Sequence, residues 1–504
     1  MTLETAPGVV AITLVTLATL VIGTWGLRFS RTTSDFFVAS RTVRPGLNAS
    51  AIGGEYLSAA SFLGVAGLLL VFGADMLWYP VGWTAGYLVL LVLVAAPLRR
   101  SGAYTLPDFA EARLGSSRAR AVCSALVVGI GWLYLLPQFQ GASVTLTATV
   151  GAPPWLGGVV VAAVVLVNVS SGGMRSITFV QAFQYWLKLT ALLVPAAVLL
   201  VVWAGDGASQ AAAASGAWSL PVGDDGARGL YLTYSLILAT FLGTMGLPHV
   251  VVRFYTNPDG SAARRTTLVV LGLLGLFYLL PPIYGALGRL YAAELAESGR
   301  GDALVLELPR LMLPGAGGEL LTGLVTAGAF AAFLSTSSGL AIAVAGVLSQ
   351  DVTGRRWGGA RLRGVTAFRL GAVLAVVVPC GGALLTPDVS VARTVGLAFA
   401  VAASTFCPLL LLGIWWRGLT APGAVAGMVV GGLGAGIAVG YTFLPQAEHP
   451  WVDAALTQPA AWSVTLALAT MVAVSRLTAD RVPAHTDRFM VRLHAPESVT
   501  LDRG

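Results

Sequence analysis

Charged side chains are scarce in this sequence: 11% of the 504 residues are Asp, Glu, Lys or Arg, whereas 56% are hydrophobic. A soluble domain carries roughly 25% charged residues, so water is not the main solvent of this chain. Apolar stretches of about 20 residues, long enough to cross a bilayer core, recur from end to end. The sequence therefore predicts an all-α polytopic membrane protein.

Cysteine and histidine are also rare. Three cysteines within apolar runs do not suggest a disulfide framework or a metal cluster. Four histidines without a His-Glu-x-x-His pattern do not supply the site of an intramembrane enzyme. The basic residues are spread over short loops, so nucleic acid is not an expected partner. The expected partner is the lipid bilayer.

Thirteen membrane helices are predicted from the long apolar segments. They lie near residues 6–28, 47–74, 78–98, 118–150, 154–171, 176–204, 229–254, 266–290, 316–350, 366–386, 391–416, 422–444 and 458–478. The first lacks a basic leader and a cleavage site, so it is interpreted as a retained helix. Alternate loops on one side hold 24 of the 30 basic residues. The positive-inside rule then predicts a plasma (inner) membrane protein with its N-terminus outside and its C-terminus in the cytoplasm.

Two predicted helices combine polar and helix-breaking residues. The second sets Gly53, Gly54, Glu55 and two serines inside an apolar span, and the seventh contains Gly243–Pro248. These helices lie five apart, and secondary transporters commonly consist of two inverted repeats with interrupted helices at the binding site. We expect a five-plus-five inverted-repeat core, although such residues also serve close helix packing.

This core divides the chain into six predicted parts. They are a first membrane helix with a cytoplasmic loop (1–46), the first repeat (47–204), an extracellular loop (205–228), the second repeat (229–417), two peripheral helices (418–479) and a cytoplasmic tail (480–504).

Four segments carry a family resemblance: Gly54–Gly64, Gly172–Gln181, Gly246–Phe254 and Ala332–Gly339. Together they resemble the sodium/solute symporter family, and within it the acetate and short-chain monocarboxylate permeases, over residues 35 to 480. The resemblance implies symport by alternating access, in which sodium entry drives uptake of a small monocarboxylate such as acetate, propionate or pyruvate. It implies no enzymatic activity, and sodium only as a co-transported substrate.

The resemblance also implies a sodium site between the second and ninth helices. Its ligands would be the carbonyls of Gly54, Leu57 and Ala332 and the hydroxyls of Ser335 and Thr336. A hard cation prefers oxygen donors, and an interrupted helix supplies free carbonyls. By themselves, the two hydroxyls are equally consistent with bonds to carbonyls one turn earlier.

A substrate site is implied on the second, third and seventh helices. It would be formed by Ser58, Ser61, Tyr79, Thr240 and Thr244. Hydroxyls and backbone N–H groups at a half-helix N-terminus can hold a carboxylate without an arginine.

Glu55 and Gln181 depart from the family pattern. Many relatives have an aspartate at the position of Gln181, so one sodium ion rather than two is expected. Glu55 is the coupling candidate, because a carboxylate at membrane depth is costly without a role. It would support sodium electrostatically or bind a proton, unless it only pairs with a neighbouring helix.

Three further polar residues lie within or near apolar runs. Lys188, the single lysine, would attract the anion, or else snorkel or pair with a helix. His249 is interpreted as a packed, hydrogen-bonded histidine and Arg253 as a cytoplasmic anchor.

Alternative functions remain within and outside the transporter class. They are proton-coupled monocarboxylate uptake, sodium-coupled uptake of another solute such as proline, a channel, and a sensor. Paired interrupted helices favour a carrier over a channel, and the tail after residue 479 is too short for a kinase. Whether a small partner subunit assists is left open.

Overall fold

The computed structural model describes residues 6–26, 38–207, 216–220, 226–351, 364–386, 391–441 and 449–497, with the single residues 28, 444 and 499. This part of the chain is helical and contains no strand. Portions of the predicted loop 205–228 and of the predicted tail 480–504 lie outside the described residues.

The α-helices of the described residues are numbered in chain order. They are α1 (Ala6–Gly26), α2 (Pro45–Tyr56), α3 (Leu63–Phe72), α4 (Trp78–Val89), α5 (Ala95–Arg100), α6 (Leu106–Leu114), α7 (Ser117–Val150), α8 (Leu156–Gly205), α9 (Gly226–Gly246), α10 (Pro248–Phe254), α11 (Gly260–Tyr278), α12 (Leu280–Tyr291), α13 (Ala293–Glu297), α14 (Leu304–Met312), α15 (Ala316–Asp351), α16 (Val365–Leu385), α17 (Val391–Trp415), α18 (Ala421–Tyr441), α19 (Pro450–Thr457), α20 (Ala460–Leu477) and α21 (Thr486–His494).

The predicted number of membrane spans is confirmed. Among the described residues, 11 helical segments are long and apolar enough to cross a membrane, and the bent pair of α2 and α3 adds a twelfth. Helix α8 has 50 residues, which is about 75 Å at 1.5 Å per residue and far more than one crossing requires. Gly173 leaves the helical conformation (φ 57°, ψ −158°) and divides α8 where the fifth and sixth predicted helices meet. Counting α8 as two spans gives thirteen.

Both predicted helix interruptions are present. Leu57 (ψ 84°) and Ser58 (ψ 172°) separate α2 from α3, and the two helices are bent by 82°. In the second half, Leu247 is extended (φ −69°, ψ 119°) between α9 and α10, because the ring of the following Pro248 sterically disfavours the helical conformation at Leu247. Each interruption lies in the first helix of a five-helix half, as the inverted-repeat fold requires.

Helix α2 lies unusually close to α8. A Cβ atom added at Gly54 would collide with the backbone oxygen of Gln181, and one added at Gly53 would lie 2.8 Å from the Tyr185 ring. Helix α15 also packs on α8, and its most apolar 18-residue stretch is entirely buried. The break in α2 is therefore held between the two central helices α8 and α15.

We expect Gly54→Ala to destabilise the protein by about 1–3 kcal/mol, the usual range for overpacking, because the new methyl group meets rigid backbone. Gly129→Ala on α7 is the matched control, since an added Cβ there has nothing within 4 Å. Thermal unfolding of the purified protein in detergent measures the difference. Equal melting temperatures for the two variants would contradict the close approach of α2 and α8.

Candidate functional site

Lys188 of α8 reaches the break in α2. Its Nζ donates to the carbonyl oxygens of Gly54 (2.5 Å) and Leu57 (2.6 Å) and to Ser335 Oγ of α15 (3.0 Å). The Gly54 carbonyl is open to it because the N–H of Ser58 donates to Tyr56 instead. Lys188 is fully buried, so it does not snorkel to the membrane surface. Three of the five predicted sodium ligands surround an amine nitrogen of the protein itself.

The remaining two predicted sodium ligands belong to the same hydrogen-bond network. The Ala332 carbonyl accepts from Ser335 Oγ (3.0 Å), and Thr336 Oγ1 donates to the Glu55 carbonyl (2.7 Å). The structure thus brings all five together from α2 and α15. Their binding of sodium stays a prediction.

Glu55 forms a buried ion pair with Arg253 of α10. Arg253 Nε lies 2.6 Å from Glu55 Oε2, and the two side chains are 1% and 2% exposed. The other guanidinium nitrogens donate to Thr178 Oγ1 (3.0 Å) and to Gln181 Oε1. Gln181 in turn donates to the Ser335 carbonyl (2.8 Å). The prediction of Arg253 as a cytoplasmic anchor is wrong, because its planar fork of donors is satisfied inside the protein.

This ion pair is one of the arrangements that the sequence allowed for Glu55. Its role in ion coupling stays a prediction. Glu55 Oε1 has no hydrogen bond among the described residues, and it lies against Gly339 of α15, where a Cβ atom would overlap the carboxylate. With Lys188 protonated, the three buried groups Glu55, Arg253 and Lys188 carry one net positive charge.

The predicted substrate residues adjoin a group of aromatic rings, the aromatic cluster, formed by Tyr56, Trp83, Tyr134, Tyr278 and Phe399. Neighbouring ring centroids in this cluster are 5.6 to 6.3 Å apart. Trp83 Nε1 is buried and has no hydrogen-bond acceptor among the described residues. The cluster therefore contains a polar donor that the described residues leave unused.

Three predicted substrate residues touch this cluster, two through their hydroxyl groups and one through its ring. The Thr244 hydroxyl is 2.7 Å from the Tyr56 hydroxyl, Tyr278 donates to Ser61 Oγ (3.4 Å), and Tyr79 packs on Trp83 (5.4 Å between centroids). All three are buried. The turn before α3 and the helices α4 and α9 thus converge beside the break in α2.

Ser58 and Thr240 are buried at the edge of the same region. Thr240 Oγ1 donates to the Leu236 carbonyl (2.9 Å) within α9, and its side chain faces Gly82 of α4, where a Cβ atom would collide with it. The structure brings all five predicted substrate residues together. Solute binding by them stays a prediction.

Two adjacent cavities lie on the way to the break in α2. An open cleft of about 750 Å³ is lined in part by Gln140, Val144, Asp302 and Leu384. A cavity of about 30 Å³ shares Val144 and Asp302 with it and reaches Ala59 beside the break. At the other end of α7, which begins at Ser117, Arg120 forms two ion pairs. Its Nη1 lies 2.7 Å from Glu111, and its Nε lies 2.6 Å from Asp351.

His249 of α10 packs edge to face on Tyr134 (5.5 Å between centroids) and is fully buried. Neither ring nitrogen has a hydrogen-bond partner among the described residues. The predicted packing of His249 is confirmed, but its predicted hydrogen bonding is wrong for this part of the structure.

The fold and site define a secondary transporter built from inverted repeats. The model of the sodium:solute symporter family matches residues 36–431, and this chain belongs to that family. It is 31% identical to the uncharacterized symporter YwcA of Bacillus subtilis over 424 residues, 82% of each chain. It is 32% identical to a monocarboxylic acid transporter of Corynebacterium glutamicum over 440 residues, 80% of this chain and 78% of the relative.

Solved structures show the same fold at low sequence identity. A Na+-coupled sialic acid symporter in a substrate-bound outward-open state aligns with a TM-score of 0.72 and 13% identity, covering 94% of this chain and 98% of that chain. The nucleobase-cation symporter Mhp1 aligns with a TM-score of 0.56 and 15% identity, covering 91% and 98%.

Sequence reasoning left Lys188 and Arg253 out of the site and did not find the aromatic cluster. A lone lysine within an apolar run was the available signal, because ionisable residues at membrane depth are functional candidates by default. The aromatic residues gave no signal, because Trp and Tyr occur throughout the predicted helices.

Arg253→Met would leave the Glu55 carboxylate buried without its partner, and we expect a loss of about 3–5 kcal/mol in stability. Adding Glu55→Gln to this variant removes the unpaired charge and restores part of the loss. Arg300→Met is the control, since Arg300 pairs with Glu307 but is 58% exposed, and we expect below about 1 kcal/mol there. Thermal unfolding in detergent measures all three, and an Arg253→Met effect as small as that of Arg300→Met would contradict the buried pair.

Proposed function

We propose that this protein imports a small monocarboxylate such as acetate by alternating access, with the downhill entry of a cation driving uptake. The relative from C. glutamicum, a monocarboxylic acid transporter, supports this solute class. With Lys188 protonated, the net positive charge of Glu55, Arg253 and Lys188 supports an anionic solute, since a buried charge is costly without a counter-charge.

The observation that carries the proposal is the unused donor of the aromatic cluster. Trp83 Nε1 is buried without an acceptor among the described residues, and an unsatisfied buried donor costs about 1–3 kcal/mol. A carboxylate provides only acceptors. The buried Ser61 hydroxyl, which accepts from Tyr278, adds a second donor nearby. Closely spaced rings around them favour a solute of few atoms, such as acetate, propionate or pyruvate.

Two cations are candidates for the driving ion. Sodium is supported by family membership and by the oxygen atoms gathered at the break in α2. Protons are the alternative, and they are supported by the Lys188 nitrogen that already lies among those oxygens. The proposed carrier lies in the plasma membrane with its N-terminus outside and its C-terminus in the cytoplasm, as the distribution of arginine favours.

Counterflow in proteoliposomes tests the carrier and its solute together. Vesicles loaded with unlabelled acetate, propionate, pyruvate or proline are diluted into labelled acetate. We expect the three monocarboxylates, but not proline, to drive accumulation of label, because only they present a carboxylate without an ammonium group. A parallel assay uses labelled proline: exchange of labelled proline but not of labelled acetate would contradict the solute class, and no exchange of either label would contradict a carrier.

Trp83→Phe should raise the KM for acetate about tenfold or more, since a hydrogen bond to a charged group contributes about 1.5–3 kcal/mol and the aromatic ring is kept. Trp186→Phe on α8, whose side chain is 52% exposed, is the matched control and should leave the KM unchanged. Initial rates of labelled acetate uptake measure both. A KM that Trp83→Phe does not change would place the solute elsewhere.

A further inference from the structure

The Lys188 nitrogen stands where a free cation is expected. It contacts two carbonyls released by the break in α2 and one hydroxyl of α15, within 2.5 to 3.0 Å. Those oxygens come from the two elements that the predicted sodium ion would join. Because Lys188 is itself a residue of α8, its hydrogen bonds join α8 to these two elements.

Hydrogen-bond accounting favours the ammonium form of Lys188 in this arrangement. The Gly54 and Leu57 carbonyls only accept. Ser335 donates its own hydrogen to the Ala332 carbonyl, so its oxygen also acts as an acceptor toward Lys188. Three acceptors match the three N–H groups of an ammonium, whereas a neutral amine has two. The site thus offers an ammonium group the three acceptors that it needs.

A sodium ion and this ammonium exclude one another. Both require the oxygens of Gly54, Leu57 and Ser335, so two cations there would lie within a few ångströms. Two unit charges 4 Å apart repel by about 4 kcal/mol at an effective dielectric constant of 20. The lysine is always present at the site, because it belongs to the chain, whereas sodium must be drawn from solution.

The packing around Lys188 keeps it in this position. Glycines 53 and 54 allow α2 to approach α8. Gly328 of α15 also packs on α8, where a Cβ atom added to it would lie 2.6 Å from the Ala191 Cβ atom and 3.8 Å from the Lys188 Cα atom. Both contacts fix the distance that the lysine side chain must span.

We propose that Lys188 is a built-in cation that takes the place of sodium at the break in α2, so that this site binds no sodium. The proposal rests on the proposed function as a cation-coupled carrier of monocarboxylates. Lys188 is the residue by which this site differs from one whose oxygens are left open to sodium. Of the two candidate driving ions, sodium and protons, the proton then remains, so a proton gradient would drive uptake.

Binding of radioactive sodium to the purified protein tests the site without any solute. We expect no saturable binding by the wild type or by Lys188→Arg, which keeps the charge. Lys188→Ala and Lys188→Ser free the oxygens, and we expect saturable binding that Ser335→Ala weakens about tenfold. Saturable sodium binding by the wild type would overturn the proposal, and this arm requires no variant to fold.

The two lysine-removing variants are compared with the wild type by size-exclusion chromatography before binding is measured. Two different small side chains are used so that a folding defect of one leaves the other available. If a monodisperse variant of this pair binds no more sodium than the wild type, Lys188 is not what keeps the ion out, and the proposal is wrong.

Acetate counterflow with choline in place of sodium separates this proposal from the proposed function. Equal acetate exchange in sodium and in choline media supports both the carrier function and the role of Lys188. Exchange that requires sodium would overturn the role of Lys188 and leave the carrier function standing. Absence of exchange in both media would overturn the carrier function, while the sodium-binding measurement still decides the role of the lysine.

Discussion

Backbone carbonyls released by a break in a membrane helix must find donors within the protein, because the bilayer core offers none. At the break in α2, Lys188 supplies that donor to Gly54 and Leu57. The contact is possible only because glycines at positions 53 and 54 let α2 lie directly on α8. Ser335 completes it from α15, so one lysine side chain joins three central helices.

A buried ion pair lies beside this lysine contact and links other elements. Arg253 neutralises Glu55 and ties α10 to α2 and α8 through Thr178 and Gln181. The interrupted helices of both repeats thereby meet in one polar network. Such a network holds two bent helices in a defined arrangement, and a membrane carrier must change that arrangement between its two access states. With Lys188 in its proposed ammonium form, one positive charge that Glu55 does not cancel remains at the break, which suits the proposed anionic solute.

If Lys188 replaces sodium, as proposed, then the fold does not determine which ion drives transport. Fold and family follow from the matched residues 36–431, and they are compatible with more than one ion. The ion is selected by a few atoms at the break, where one side chain of α8 reaches the oxygens or leaves them open. Membership in a family named for sodium thus leaves the ion to be decided by the local contacts of each member.

The sequence by itself determined the membrane class, the thirteen spans and both helix breaks, because hydrophobic length and the backbone properties of Gly and Pro are local. It also placed the five residues of each predicted site on helices that do meet. Only the tertiary structure decided that Lys188 points into the break, that Arg253 faces Glu55 rather than the membrane surface, and that aromatic rings from several helices surround the candidate solute site. These features depend on the rotation and spacing of helices far apart in the chain, and a single sequence carries no local signal for either.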